Sequence, residues 1–133
     1  MKRFQLLFLL LLSYQLSYSQ KFDNCINIES VFSKTERPPV FKGSLQQYFD
    51  SSLNSTLGTF EGSITLNILI DSTGKPCCRN ISGAGSKALS VKIKEVVDAM
   101  PRWKPAFQNG WFVNFLAMVV LNRFDSVLKV VLL

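Results

Sequence analysis

Residues 62–71 carry the most regular alternation in the chain, and that pattern limits what can surround them. Ile64, Leu66, Ile68 and Ile70 fall on one side of an extended strand, with Ser63, Thr65 and Asn67 on the other. A strand of this kind buries one face, so a second layer must cover the isoleucines while the opposite face stays mostly wet. Asp71-Ser72-Thr73-Gly74 follows. A short carboxylate able to bond nearby backbone, then a residue free to take positive φ, is turn chemistry. Residues 76–81 are therefore expected to pair back as a second strand, opened by Pro76, whose missing N–H suits a strand's first residue.

Helical spacing appears on both sides of this hairpin. Ser44 is placed to cap a helix whose Leu45, Tyr48, Phe49, Leu53 and Leu57 recur every three or four residues. Gln46, Gln47, Asp50, Ser51 and Asn54 fill its wet face, and Gly58 is expected to end it. Ser86 caps a second helix running to Met100, with Leu89, Ile93, Val96, Val97 and Met100 as its buried stripe and Pro101 as its stop. Residues 36–41 and 101–106 are proline-bearing corners that cannot be helical.

Asn109-Gly110 reads as a turn. From Trp111 to Phe124 apolar residues occupy both alternating positions, the pattern of a strand enclosed on two sides. At about 3.4 Å per residue it is long, so a bend or bulge is expected within it. Asn114, Asn122, Arg123, Asp125 and Lys129 interrupt this stretch, which argues for sheet rather than a membrane span. A turn at Asp125-Ser126 leads to a last strand over 127–133. The order is helix, strand, strand, helix, strand, strand. It implies an α+β fold with two helices on one face of a small antiparallel sheet.

The first residues have a different character. Lys2 and Arg3 precede an apolar run from Phe4 to Leu12, broken only by Gln5, and Ser17-Tyr18-Ser19 places small residues where a signal peptidase cuts. Residues 1–19 are expected to be a signal peptide, 20–37 an extended lead-in and 38–133 one domain. An uncleaved anchor is the rival reading, but a span needs about 20 apolar residues and this run is shorter. Export permits disulfides. Cys25, Cys77 and Cys78 are an odd set, and in a strand Cys77 and Cys78 point to opposite faces, so Cys25 can pair with Cys77 or with Cys78. Equally, these residues can serve as small buried hydrophobes.

Residue chemistry argues against catalysis. The chain has no histidine, which removes Ser-His and Cys-His pairs and the commonest zinc ligand. Its three cysteines lack zinc spacing, so no metal or cofactor is expected. Ser82-Gly83-Ala84-Gly85-Ser86-Lys87 lies where a phosphate loop would, but its Lys follows the Ser instead of preceding it. Asp71 fits a turn and Asp98 a helix's wet face, so they form no acid–base pair. Without Lys2 and Arg3 the net charge of +6 falls to +4 (13 − 9), a small excess spread from Lys21 to Lys129 that marks no nucleic-acid footprint.

The ordered set of short motifs resembles the TonB C-terminal domain family. Pro39-Val40-Phe41-Lys42-Gly43 before a helix is similar to that family's opening motif, and Ile70-Asp71-Ser72-Thr73-Gly74-Lys75 to its first hairpin. Met100-Pro101-Arg102-Trp103-Lys104-Pro105-Ala106, then Asn109-Gly110 and a long strand ending at Phe124, is the most telling feature. The resemblance covers residues 38–124. It implies a non-enzymatic, stand-alone protein-binding module in the periplasm of a Gram-negative bacterium, linked to TonB-dependent outer-membrane transport. Its mode of binding would be β-augmentation, in which a receptor segment adds to a sheet edge, with Val113, Phe115, Ala117, Val119 and Leu121 as the contact strand. A structural, self-associating envelope dimer with no transport role is the alternative, and no small-molecule substrate is implied. Pro101, Trp103, Pro105 and Gly110 are expected to be structural, with Trp103 plugging the core. The extra strand 126–133 lies beyond the family pattern and is expected to fold back over the docking edge.

Overall fold

The computed structural model describes residues 19–21, Cys25 and residues 30–133. The signal-peptide reading falls on residues outside this range except for Ser19, and most of the lead-in before Ser30 lies outside it too.

Two helices and seven strands make up the described chain: β1 (Ser19–Lys21), β2 (Val31–Phe32), α1 (Leu45–Leu53), β3 (Gly62–Ile70), β4 (Pro76–Ser82), α2 (Lys87–Asp98), β5 (Ala106–Gln108), β6 (Trp111–Phe124) and β7 (Val127–Leu132). Both helices start where the sequence places a serine cap. Ser44 Oγ accepts from the Gln47 N–H and Ser86 Oγ from the Leu89 N–H, each at 3.2 Å. α1 stops a turn earlier than Gly58. The chain leaves it through tight turns in which the Thr56 and Leu57 N–H groups both bond Leu53 O at 2.9 Å. Leu57 still reaches the core.

Six strands join in one sheet, with β1-β4-β3-β6-β2 as its main path and β7 also on β6; β5 pairs with the start of β6 and, at Phe107, bridges Arg37. The general α+β class is as expected, but the sheet is mixed, because β2 lies parallel to β6 (Val31 beside Asn114, Phe32 beside Phe115). β6 pairs with β2, β3, β5 and β7. Its register against β3 runs unbroken from Gly62 opposite Arg123 to Ile70 opposite Phe115.

The expected irregularity therefore sits elsewhere. Between Asn67 and Ile68 the register against β4 slips, so that Asn67 faces Asn80 and Ile68 faces Cys78, leaving Arg79 as the extra residue. This bulge reverses the alternation along β4. Cys78 and Ile81, three apart, consequently both point into the core.

That core lies between one sheet face and the two helices. Phe49, Leu53 and Leu57 from the first helical segment meet Ile93, Val96 and Val97 of α2 over Ile64, Leu66, Ile68, Ile70, Ala117, Val119 and Leu121. The Tyr48 hydroxyl donates to Val96 O at 2.6 Å and ties the helices together. The opposite face is less wet than the alternation of β3 implies. Leu69, which points there, is fully buried, as is Cys25, and neither belongs to the main core cluster.

Candidate functional site

Every residue of the expected contact strand sits in β6, but their side chains face inward. Phe115, Ala117, Val119 and Leu121 are buried under the helices and Val113 packs against the same cluster. A partner strand could meet only the backbone edge of β6, since these side chains already fill the core.

One edge of β6 belongs to β3. The other is shared. β2 holds residues 114–115 and β7 holds Val119–Phe124, from Val119 opposite Leu132 to Phe124 opposite Val127. Leu133 extends the cover by donating its N–H to Met118 O at 3.0 Å. The hairpin closes through Asp125 and Ser126, both at positive φ (52° and 63°), the geometry that matches the twist of paired strands.

β7 is held from its far side as well, by a residue the helical pattern assigned to solvent. The Gln46 side-chain amide donates to Leu128 O and accepts from the Val130 N–H, both at 2.8 Å. Those two backbone groups point away from β6, so the amide stands where the peptide of a further strand would be. Asp50 accepts from the same Nε2 at 3.1 Å and fixes its orientation. A Gln one turn before an Asp on a polar helix face was the only signal in the sequence, and it is an ordinary one.

The Pro-Trp-Pro corner and the Asp71 turn form one unit. Trp103 is buried, edge-on to Phe41 at 5.2 Å, and its backbone N–H donates to Gly74 O at 2.8 Å. Gly74 sits at φ +87°, and a Cβ there would lie 2.0 Å from Trp103 O, so no larger residue fits. Arg102 reaches back to Thr73 Oγ1 at 2.7 Å. Burial alone would raise the Asp71 carboxyl. Hydrogen bonds from the Thr73 hydroxyl and the Lys75 and Thr73 N–H groups, helped by the Arg102 charge, bring it below its ordinary value instead. Pro101 and Pro105 flank the Trp. Gly110, at φ +84°, joins Asn109, at φ +50°, in the turn between β5 and β6.

The cysteines resolve the two open pairings. Cys25 is bonded to Cys77, with their Cα atoms 6.2 Å apart, and Cys78 is free and buried on the core side. Burial, with the Asp98 charge second, pushes the Cys78 thiol up to about 12, although Lys94 acts the other way. Asp98 itself is not idle on a wet face. It accepts from the Cys78 N–H at 3.0 Å and pairs with Lys94.

A separate concavity of about 330 Å³ lies between the two proline corners, lined by Arg37, Pro38, Val40, Lys104, Pro105, Phe107 and Phe112. Among the described residues no group of three His, Cys, Asp or Glu side chains could hold a metal. No protein-family model matches the chain, and neither a curated protein nor a solved structure does so.

Proposed function

We propose that this chain is an exported, protein-binding module of the TonB C-terminal type, which takes an extended segment of an envelope protein onto the edge of β6. One observation carries the reading: the edge a partner strand would need is already filled by the chain's own β7, in antiparallel register. Strand addition at this edge is thus a geometry that β6 supports, and β7 is its internal occupant. The order α1, β3, β4, α2, β6 and the packing of the Asp71 turn on the Trp103 corner support the likeness drawn from the sequence. Among the described residues no helix is long and apolar enough to cross a membrane.

In-cell crosslinking tests the proposal. A photo-reactive amino acid in place of Met118, which is 41% exposed on β6, should crosslink to an extended segment of an envelope protein. The yield should rise when β7 is loosened by Gln46→Ala or removed by truncation after Asp125. An absence of intermolecular product in all three forms would overturn the reading.

Self-association is supported by a different feature. Phe124 (58% exposed) and Val127 (67%) face each other as exposed apolar groups at the β6–β7 hairpin, and Leu133 (72%) is exposed at the far end of β7. Under that reading the crosslinked product is a second copy of the chain, and sedimentation shows a mass that rises with concentration.

A further inference from the structure

We propose that the concavity between the two proline corners is a docking site for an acidic peptide segment bearing one bulky apolar side chain, separate from the β6 edge. Its walls are two extended segments held together at two antiparallel bridges. Arg37 and Phe107 exchange N–H···O bonds of 3.2 and 3.0 Å, and Val40 and Lys104 exchange bonds of 3.0 and 2.8 Å. Pro38, Pro39 and Pro105 lie between the bridges. They have no N–H to leave unpaired and their φ angles are fixed, so the site is rigid before anything binds.

The lining decides what fits. Pro38, Val40, Pro105, Phe107 and Phe112 make it apolar, and Val40 and Phe112 are 52% and 56% exposed, unlike the core hydrophobics. A volume of about 330 Å³ lies at the small end for ligand sites. It has room for a side chain or two, not for a large cofactor. Phe107 and Phe112 meet edge-to-face at 5.7 Å, which presents aromatic surface to an incoming ring.

Charge selects the rest of the ligand. Among the described residues the ionic groups of the lining are Arg37 and Lys104, and no carboxylate lines the site. The Arg37 guanidinium lies 4.6 Å from the Phe107 ring centre, so it is held in place while its N–H edge remains for an acceptor. Glu36, next in sequence, does not neutralise it by an ion pair; its carboxylate accepts from the Asn109 N–H at 3.2 Å. An apolar pocket with an Arg and a Lys on it favours an apolar anchor flanked by carboxylates over a neutral or basic segment.

The test uses the whole exported chain, ¹⁵N-labelled, titrated with a short peptide in which Trp is flanked by aspartates. Two controls are the same peptide with lysines for aspartates and with Gly for Trp. The expected result is saturable amide shifts confined to residues 37–40, 104–107 and 112 with the acidic Trp peptide, and far weaker ones with either control. Replacing the two exposed cations together (Arg37→Gln, Lys104→Gln) should weaken binding about tenfold or more without altering the rest of the spectrum. Phe112→Ala, at another exposed position, should weaken it comparably. Equal binding of the lysine peptide, shifts centred elsewhere, or no shifts at all would overturn the proposal. So would shifts of these residues on raising protein concentration alone, which would make a second copy the occupant.

Discussion

Gly74 and Gly85 both take positive φ, at +87° and +77°, but their surroundings separate them. Ala at Gly85 would meet open space and should cost about 1 kcal/mol in backbone strain alone. Ala at Gly74 would collide with the Trp103 carbonyl and should cost about 3 kcal/mol or more, or prevent folding. Urea midpoints of the two variants check this contrast. Asp71 supplies a pH dependence. A carboxyl whose pKa falls on folding adds stability above its unfolded value, and that part is lost as pH drops through the folded value. The stability gap between the native chain and Asp71→Asn should therefore be constant near neutrality and narrow below about pH 4. An unchanged gap at low pH would contradict the hydrogen bonds described. Cys78 should resist alkylation in the folded chain at pH 8 and react only on unfolding, since a thiol near 12 holds almost no thiolate there.

Among the elements, the long-period patterns were the readable ones. The alternation of β3, the serine caps and the apolar stripes placed two helices and the main strands to within a few residues, because each is set by local geometry. What escaped depended on contacts distant in sequence. Gln46 lies 82 residues from Leu128, and nothing around it marks an edge-capping role. The bulge at Arg79 was equally hidden, since register is a property of two strands together. β2 joins the sheet through only two residues, too few to carry a period. The Gln46 contact has a measurable consequence. Gln46→Ala removes two hydrogen bonds to β7 and should destabilise the chain by about 1–2 kcal/mol. Gln46→Leu, which keeps much of the side-chain bulk, should cost nearly as much. If both variants unfold with the native chain in urea, the amide does not hold β7.

Among the described residues, segments from the two ends of the chain flank the sheet. At one side the lead-in is tied to β4 by the Cys25–Cys77 bond, whose partners are 52 residues apart. In the chain-entropy account such a link is worth up to about 4 kcal/mol, so the Cys25→Ser, Cys77→Ser double variant should unfold at markedly lower urea. At the other side β7 covers β6. The candidate contact strand was legible in sequence as a segment, but its burial was not, since apolar residues on both alternating faces do not say which face meets the helices. The central claim is that β7 is a removable occupant of the β6 edge. Native-state amide hydrogen exchange of residues 119–133 reads this directly. Val127, Lys129 and Val131 should be protected, yet open at a free energy clearly below that of the β3–β6 pairs, and Gln46→Ala should lower it further. Protection lost only with global unfolding would make β7 a permanent part of the sheet, and no protection at all would mean that it does not cover the edge; either result would contradict the account.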